Sequence, residues 1–223
     1  MIELPLFPLN TVLFPGMPLE LHIFEERYKL MIGMCIEKRI PFGVVLLEQG
    51  KAEQDLSGST PAPQPFLIGC TAQITQVKPL PEGRMNITVV GRERFQIVSI
   101  HHDKPYLVAS VEMYPIDGGD IRTLIKSTDA LRRWIERYLR VLEKAGHIQF
   151  DPNQLPTEPI AMAYLGSVLL QGIAPALKQQ LLEADSMITL INQLKGIYRR
   201  EVVLLETLLH PPESDYQGPF SLN

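Results

Sequence analysis

Cysteine is nearly missing from this chain. Cys35 and Cys70 are the only two among 223 residues, too few for a disulfide framework and without the paired spacing of a zinc site, so a reducing compartment is expected. Long apolar runs are missing as well. None approaches the roughly 20 residues that span a bilayer, and the opening MIELPLFPLN lacks a basic stretch and is broken by Pro5 and Pro8, which argues against a signal peptide. The expectation is a cytoplasmic protein with no membrane partner. Positive charge is not in excess either: the formal net charge is -4, which excludes a global attraction for nucleic acid or anionic lipid and leaves only local patches.

Catalytic motifs are absent in the same way. No H-E-x-x-H occurs, and His101 and His102 are consecutive in a strand-like run, so their side chains would point to opposite faces. The stretch GGDIRTLIKST offers Lys126 and Ser127, but Ile125 stands where a phosphate-cradling loop needs glycine, and the lysine falls inside a helical pattern. In YLGSVLL, Ser167 lacks the second glycine of a nucleophile elbow and reads as a small packing residue. Neither cysteine has a histidine beside it in sequence. No catalytic residue, metal or cofactor is expected, and the chain is not read as an enzyme.

What is present is an ordinary supply of core residues, 45% hydrophobic, arranged with two periodicities. PFGVVLLEQ, FLIGCTAQITQV, RMNITVVGRERFQIVSI and YLVASVEMYPI are rich in β-branched and aromatic residues and alternate in places, as at Met85, Ile87 and Val89. LPEGR, with Gly83, predicts a hairpin between the second and third of them. Prolines at Pro5, Pro8, Pro15, Pro18 and Pro41 predict that the first strands are short or lie at edges. Between Gln49 and Gln64 large apolar residues nearly vanish, which predicts a mobile loop.

After Asp117 to Gly119 the period becomes helical. Asp120 is a candidate N-cap for a helix of about seven turns carrying Leu124, Leu131, Ile135, Tyr138 and Leu142, which Gly146 ends. An almost wholly apolar helix in PTEPIAMAYLGSVLL, a short one opened by Pro175, and a last one capped by Asp185 complete the half. Their stripes predict a bundle core rather than a cofactor box. Strands followed by helices indicate an α+β fold.

Two charged features remain. Arg133, Arg137, Arg140 and Lys144 line one face of the long helix, a candidate basic patch, although Glu136 is placed to pair with Arg132 and Arg140. In LHIFEERYKLMI, Phe24, Tyr28, Met31 and Ile32 recur at helical spacing and Glu25 faces Lys29 at i+4, so the two glutamates belong to an amphipathic helix.

Read in order, LPLFPLNTVLFPGMPLELHIFEERYKLMI, PFGVVLL, IGCTAQITQV, GRERFQIVSI and PYLVASVEMY closely resemble the N-terminal substrate-recognition domain of Lon-type ATP-dependent proteases. LFPL, FPGM, HIFEERY, FGVVL and the G-x-x-R-F of Gly91 to Phe95 carry the likeness from about Leu4 to Tyr114. The helical half matches more loosely, through YLGSVLLQ and LLEADSMITLINQL. The resemblance implies a PUA-like β pseudo-barrel over residues 1–117, a helical bundle over 118–210 and a flexible tail over 211–223. It implies a free-standing, non-enzymatic module, without the family's ATPase and protease parts, that binds polypeptide segments or a partner protein. Phe14, Phe24, Tyr28, Phe95 and Tyr106 are the candidate polypeptide-binding residues, with core packing the competing role for each. Glu25, Arg27, Gly43, Gly91 and Arg94 match the family pattern as structural positions, and Glu25 and Arg27 are expected to fasten their helix to the barrel. Nucleic acid is the alternative partner, since PUA-like folds can bind RNA and the basic patch is available. The oligomeric state is left open.

Overall fold

The structure is a computed structural model, and residues 1–47 and 64–209 are described. The predicted loop, apart from Gln64, and the tail lie outside them. Six strands come first: β1 (Ile2–Leu9), β2 (Pro18–Ile23), β3 (Phe42–Leu46), β4 (Ile68–Pro79), β5 (Met85–His101) and β6 (Val108–Met113). One helix, α1 (Glu26–Lys38), sits between β2 and β3. The chain is α+β, as expected. β4 and β5 form the hairpin that LPEGR predicts, with Glu82 and Gly83 both at positive φ in its turn.

The sheet closes on itself. Its order is β2-β5-β4-β3-β1-β6, and β5 also pairs with β6, so β5, β4, β3, β1 and β6 form a ring with β2 laid beside the first half of β5. Closure explains how β1 tolerates its prolines without being the short edge that they predict. Ile2 to Pro5 pair with β6 and Leu6 to Leu9 pair with β3, so each half of the strand meets one partner. The interior is filled by Leu4, Leu6, Val45, Phe95, Ile97, Ala109 and Val111. Phe95 needs space there: a Cβ on Gly43 would stand 2.7 Å from its Cζ, and one on Gly69 would stand 2.6 Å away. Helix α1 covers another side of the ring through Tyr28, Met31, Ile32 and Cys35, which pack on Phe42, Val44, Ile87 and Val89.

Four helices follow: α2 (Ile121–Lys144), α3 (Pro159–Leu169), α4 (Pro175–Leu182) and α5 (Met187–Leu209). Asp120 caps α2, accepting from the Thr123 amide at 2.8 Å, and Gly146 lies in the left-handed region just past its end. Pro175 opens α4 as expected. The cap of α5 is Ser186, whose Oγ accepts from the Thr189 amide, rather than Asp185. The backbone of Asp185 instead accepts from the Asp117 amide, tying the start of the last helix to the segment that joins barrel and bundle. Tyr198, fully buried, donates its hydroxyl to the Gly166 carbonyl at 2.7 Å and meets Tyr138 edge-on, so α2, α3 and α5 share one center.

Barrel and bundle share a core. Val12, Phe14, Leu46 and Ile68 from the strand half pack with Leu131, Met162, Leu181, Leu190 and Leu194 from the helices. Gln179, buried on α4, adds a polar tie by donating to the Ile68 carbonyl at 2.9 Å. A shared apolar core fixes the relative placement of the two halves, and thereby any cleft between them.

Candidate functional site

A cleft of about 610 Å³ opens at the junction of barrel and bundle. Three stretches far apart in the chain build it. Residues 15–18 form one rim, Arg92 to Arg94 with residues 113–116 form the floor on the barrel side, and α3 supplies Ile160, Ala161, Tyr164, Leu165 and Val168. Apolar side chains dominate the walls, Met17, Tyr114, Ile116, Tyr164, Leu165 and Val168 among them. Four charged residues, Arg92, Glu93, Arg94 and Glu158, complete the lining.

Each wall has a local cause. The loop at 15–18 is held on β5 by two backbone bonds: the Gly16 amide donates to the Gly91 carbonyl and the Gly91 amide donates to the Met17 carbonyl, both at 2.9 Å. That approach requires glycine, since a Cβ on Gly91 would lie 2.1 Å from the Phe14 carbonyl oxygen. On the opposite side Glu158 caps α3, accepting from the amides of Ile160 and Ala161, and Pro159 follows it at the first helical position. Glu158 is thereby committed to the helix although it lines the cleft.

Arg94 is the unusual group. Only 3% exposed, it reaches from β5 to the end of α4, where its Nη1 donates to the Leu182 and Ala184 carbonyls at 2.6 Å each. Tyr114 lies under the guanidinium, 4.8 Å from ring center to Cζ. Its Nε and Nη2 are buried and have no acceptor. Burial lowers the Arg94 pKa, while neighboring Tyr164, Tyr114, Cys70 and Asp185 act the other way. Burial likewise raises the Tyr164 hydroxyl, with the Arg94 charge opposing it.

The residues picked from sequence are not gathered in one place. Phe14 (1% exposed) and Phe95 (0%) are core residues and offer no surface to a polypeptide, and Tyr28 and Tyr106 are buried too. Tyr28 stacks on Phe7 at 4.2 Å. These four are corrected to packing roles: on β5 (Phe95), on α1 (Tyr28) or between elements (Phe14 and Tyr106), a large ring is drawn inward by the area that it buries. Phe24 alone is exposed, at 58%, beside the ring of His22, and it does not line the cleft.

Two electrostatic expectations also change. Glu25 pairs with Arg27 at 2.8 Å, and both are substantially exposed, so they do not fasten α1 to the barrel. That task falls to Lys29, which pairs with Glu26 rather than Glu25 and donates to the Glu82 carbonyl of the β4–β5 turn at 2.8 Å. On α2, Arg133, Arg137, Arg140 and Lys144 are exposed as a stripe. Its center is engaged: Arg137 grips Glu206 of α5 through Nε and Nη2 at 2.9 and 2.7 Å. Arg132 bonds the Pro156 carbonyl rather than Glu136. Ser167 is buried and donates back to the Ala163 carbonyl within α3, and both cysteines are buried thiols. Among the described residues no group of three His, Cys, Asp or Glu could hold a metal, and no helix is long and apolar enough to cross a membrane.

Residues 3–196 match the family model described as the ATP-dependent protease La (LON) substrate-binding domain. The chain belongs to that family. Among curated relatives, Lon protease of Cytophaga hutchinsonii is 26% identical over 91% of this chain, and Lon protease 2 of Herpetosiphon aurantiacus is 28% identical over 94%. The chain spans about a quarter of the length of each, 25%. Two solved structures share the fold. The Lon N-terminal domain protein from Xanthomonas campestris gives a TM-score of 0.61 at 22% identity, covering 88% of this chain and 98% of that one. The N-terminal domain of the Mycobacterium avium complex Lon protease gives 0.65 at 18%, covering 91% and 98%. As a Lon substrate-binding domain, the chain places FPGM, GRERF and YLGSV around one cleft. All three carry the likeness in sequence, and nothing in the sequence shows that they meet. Proximity of such motifs leaves no trace in periodicity.

Proposed function

We propose that this chain is a non-enzymatic polypeptide-binding module that holds apolar, unfolded segments in the cleft between barrel and bundle and delivers them to a separate machine. One observation carries the reading: in a substrate-binding domain, the junction opens into a cleft of about 610 Å³ whose walls are mostly apolar. A rigid cleft of this kind favors an extended segment, because side chains enter preformed apolar space without reorganizing the host. Arg94 and Gln179 tie the barrel to α4 through bonds across the junction beside the cleft.

The test uses a dye-labeled, reduced and carboxymethylated polypeptide that cannot fold. The protein is expected to raise its anisotropy saturably and to leave it intact on a gel, with or without ATP. Ala161→Trp, which fills the exposed rim of the cleft, is expected to weaken binding at least about tenfold with the fold retained. Unchanged binding by the tryptophan variant would move the site elsewhere, and cleavage of the polypeptide would overturn the non-enzymatic reading.

A further inference from the structure

Strand β4 outruns its neighbor on one side. β3 pairs with it only at Cys70 to Ala72, whereas β5 follows it as far as Pro79, so from Gln73 onward the far edge of β4 meets no strand among the described residues. The hairpin fixes which groups that edge presents. The Leu80 amide donates to the Arg84 carbonyl at 2.8 Å across the turn. Antiparallel pairs alternate, so Lys78 and Gln76 turn their backbone groups to β5 while Val77 turns its N–H and C=O outward. Gly91 gives the same phase from the other end of β5, since its amide and carbonyl both bond residues 16 and 17 on the side of β2. Pro79, which has no N–H, stands at the next outward position, where none is missed.

Along this edge runs a groove of about 330 Å³ between residues 73–77 of β4 and the end of α1, where Ile36, Arg39 and Ile40 line it. Val77 shares a sheet face with Ile87 and Leu21, which belong to the core that α1 covers. It stands at the open margin of that face, 38% exposed, and Ile36 across the groove is 37% exposed. A strand added to β4 would extend the covered face by one row and bury both. Arg39 is the only charged residue of the lining, and among the described residues it has no carboxylate or other acceptor. It also holds φ +53 as the cap of α1, a left-handed position that glycine fills at less cost, so a long cationic side chain stands where the backbone itself favors none. We propose that this edge receives an extended polypeptide segment by strand addition, with an acidic side chain of the segment on Arg39 and apolar side chains against Ile36 and Val77. The site shares no residue with the cleft, so it goes beyond the reading above and stands or falls separately. A second copy of this chain, paired edge to edge, would bring the cations Arg39 and Lys78 to a margin that already carries them, which disfavors it as the occupant.

Three dye-labeled, terminally blocked nonapeptides test the site by anisotropy. One alternates valine and threonine around a central glutamate, one has glutamine there instead, and one is the glutamate peptide N-methylated at its central five amides, which keeps the side chains and removes the donors. The glutamate peptide is expected to bind saturably and about two- to fivefold more tightly than the glutamine peptide, and the methylated one not to bind. Val77→Pro removes the outward N–H, spares the ladder with β5 and is expected to weaken binding at least about tenfold. Arg39→Gly suits the left-handed cap and is expected to keep the fold and to bind the glutamate and glutamine peptides alike. Ala161→Trp, in the cleft, is expected to change nothing. Should Val77→Pro not fold, the methylated peptide and Arg39→Gly carry the test. Undiminished binding of the methylated peptide, or equal affinity of the unaltered protein for the glutamate and glutamine peptides, overturns the proposal. Loss of binding in Ala161→Trp overturns it too, assigning the peptides to the cleft, and a dimer in sedimentation that Val77→Pro dissolves assigns the edge to a second copy. Failure of all three peptides overturns this site and leaves the cleft to its own test with the unfolded polypeptide.

Discussion

Gly91→Ala is the sharpest single perturbation of this architecture. The added methyl would stand 2.1 Å from the Phe14 carbonyl oxygen and 2.9 Å from its carbon, and the obstacle is backbone, which cannot rotate away as a side chain can. The loop at 15–18 must therefore lift from β5. Lifting it breaks the two bonds between Gly16, Met17 and Gly91, each worth about 1 kcal/mol net. Overpacking against the buried Leu13 and Phe14 adds about 1–3 kcal/mol. The sum is about 3–5 kcal/mol, which in a chain of this length lowers Tm by on the order of 10 °C. Circular dichroism melts and urea titrations would measure it. The control is Gly16→Ala. Gly16 has φ +79 and nothing within 4 Å of its would-be Cβ, so only left-handed strain of about 1–2 kcal/mol applies. If Gly91→Ala lies within about 1 kcal/mol of the parent by urea, or if Gly16→Ala is the worse of the two, the crossing of the loop over β5 does not have this geometry.

Phe95→Ala should cost about 3–5 kcal/mol in urea titrations, because it empties the barrel interior that Gly43 and Gly69 leave open for one ring. Glu25→Gln should change stability by less than about 1 kcal/mol, its partner Arg27 being an exposed neighbor on the same segment. Burial pushes the Cys35 thiol up to about 11 and Cys70 up to about 12, so both should resist an aromatic disulfide reagent at pH 8 in the native protein and react once it is unfolded. Because the folded values exceed the ordinary 9.0, the unfolded chain releases these protons first. Stability is then fully present below pH 9 and lost as pH rises through 11 and 12, a decline that Cys35→Ala should make shallower in urea titrations against pH. Filter binding of RNA at two salt concentrations should show no salt-sensitive affinity traceable to Arg137, whose fork already holds Glu206; a loss in Arg137→Glu would restore the nucleic-acid alternative.

Local grammar predicted the elements well where the physics is local. Asp120 caps α2 and Gly146 ends it because a cap needs only one side chain and the next three amides. The same reasoning placed Asp185 as the cap of α5 one residue early, since aspartate and serine are both good caps and the choice was made by the tertiary pairing of Asp117 with Asp185 and Met187. The proline rule failed for β1 for a related reason. It assumes that a strand keeps one pair of neighbors throughout, and β1 changes partner between Pro5 and Leu6. Burial of the aromatics is harder still: Phe24 and Phe14 carry the same ring, and only the docking of the bundle on the barrel decides that one is exposed and the other enclosed.

The cleft is the extreme case of this dependence on docking. None of its walls has a composition that marks a site: FPGM reads as a turn, GRERF as a strand with two exposed charges, and YLGSV as part of an apolar helix. What makes Arg94 exceptional is its surroundings. An arginine on β5 beside Arg92 would ordinarily be solvated, and it becomes a buried group only because α4 ends over it and presents two carbonyls that need donors. That contact explains why an arginine is suited to the position. A lysine could neutralize the same helix end with its single ammonium, but a guanidinium serves both carbonyls with one nitrogen while its plane lies on the Tyr114 ring. The contact that hides Arg94 from a reading of local sequence is thus the one that locks the bundle to the barrel beside the cleft, and the rigidity of the cleft has its origin there.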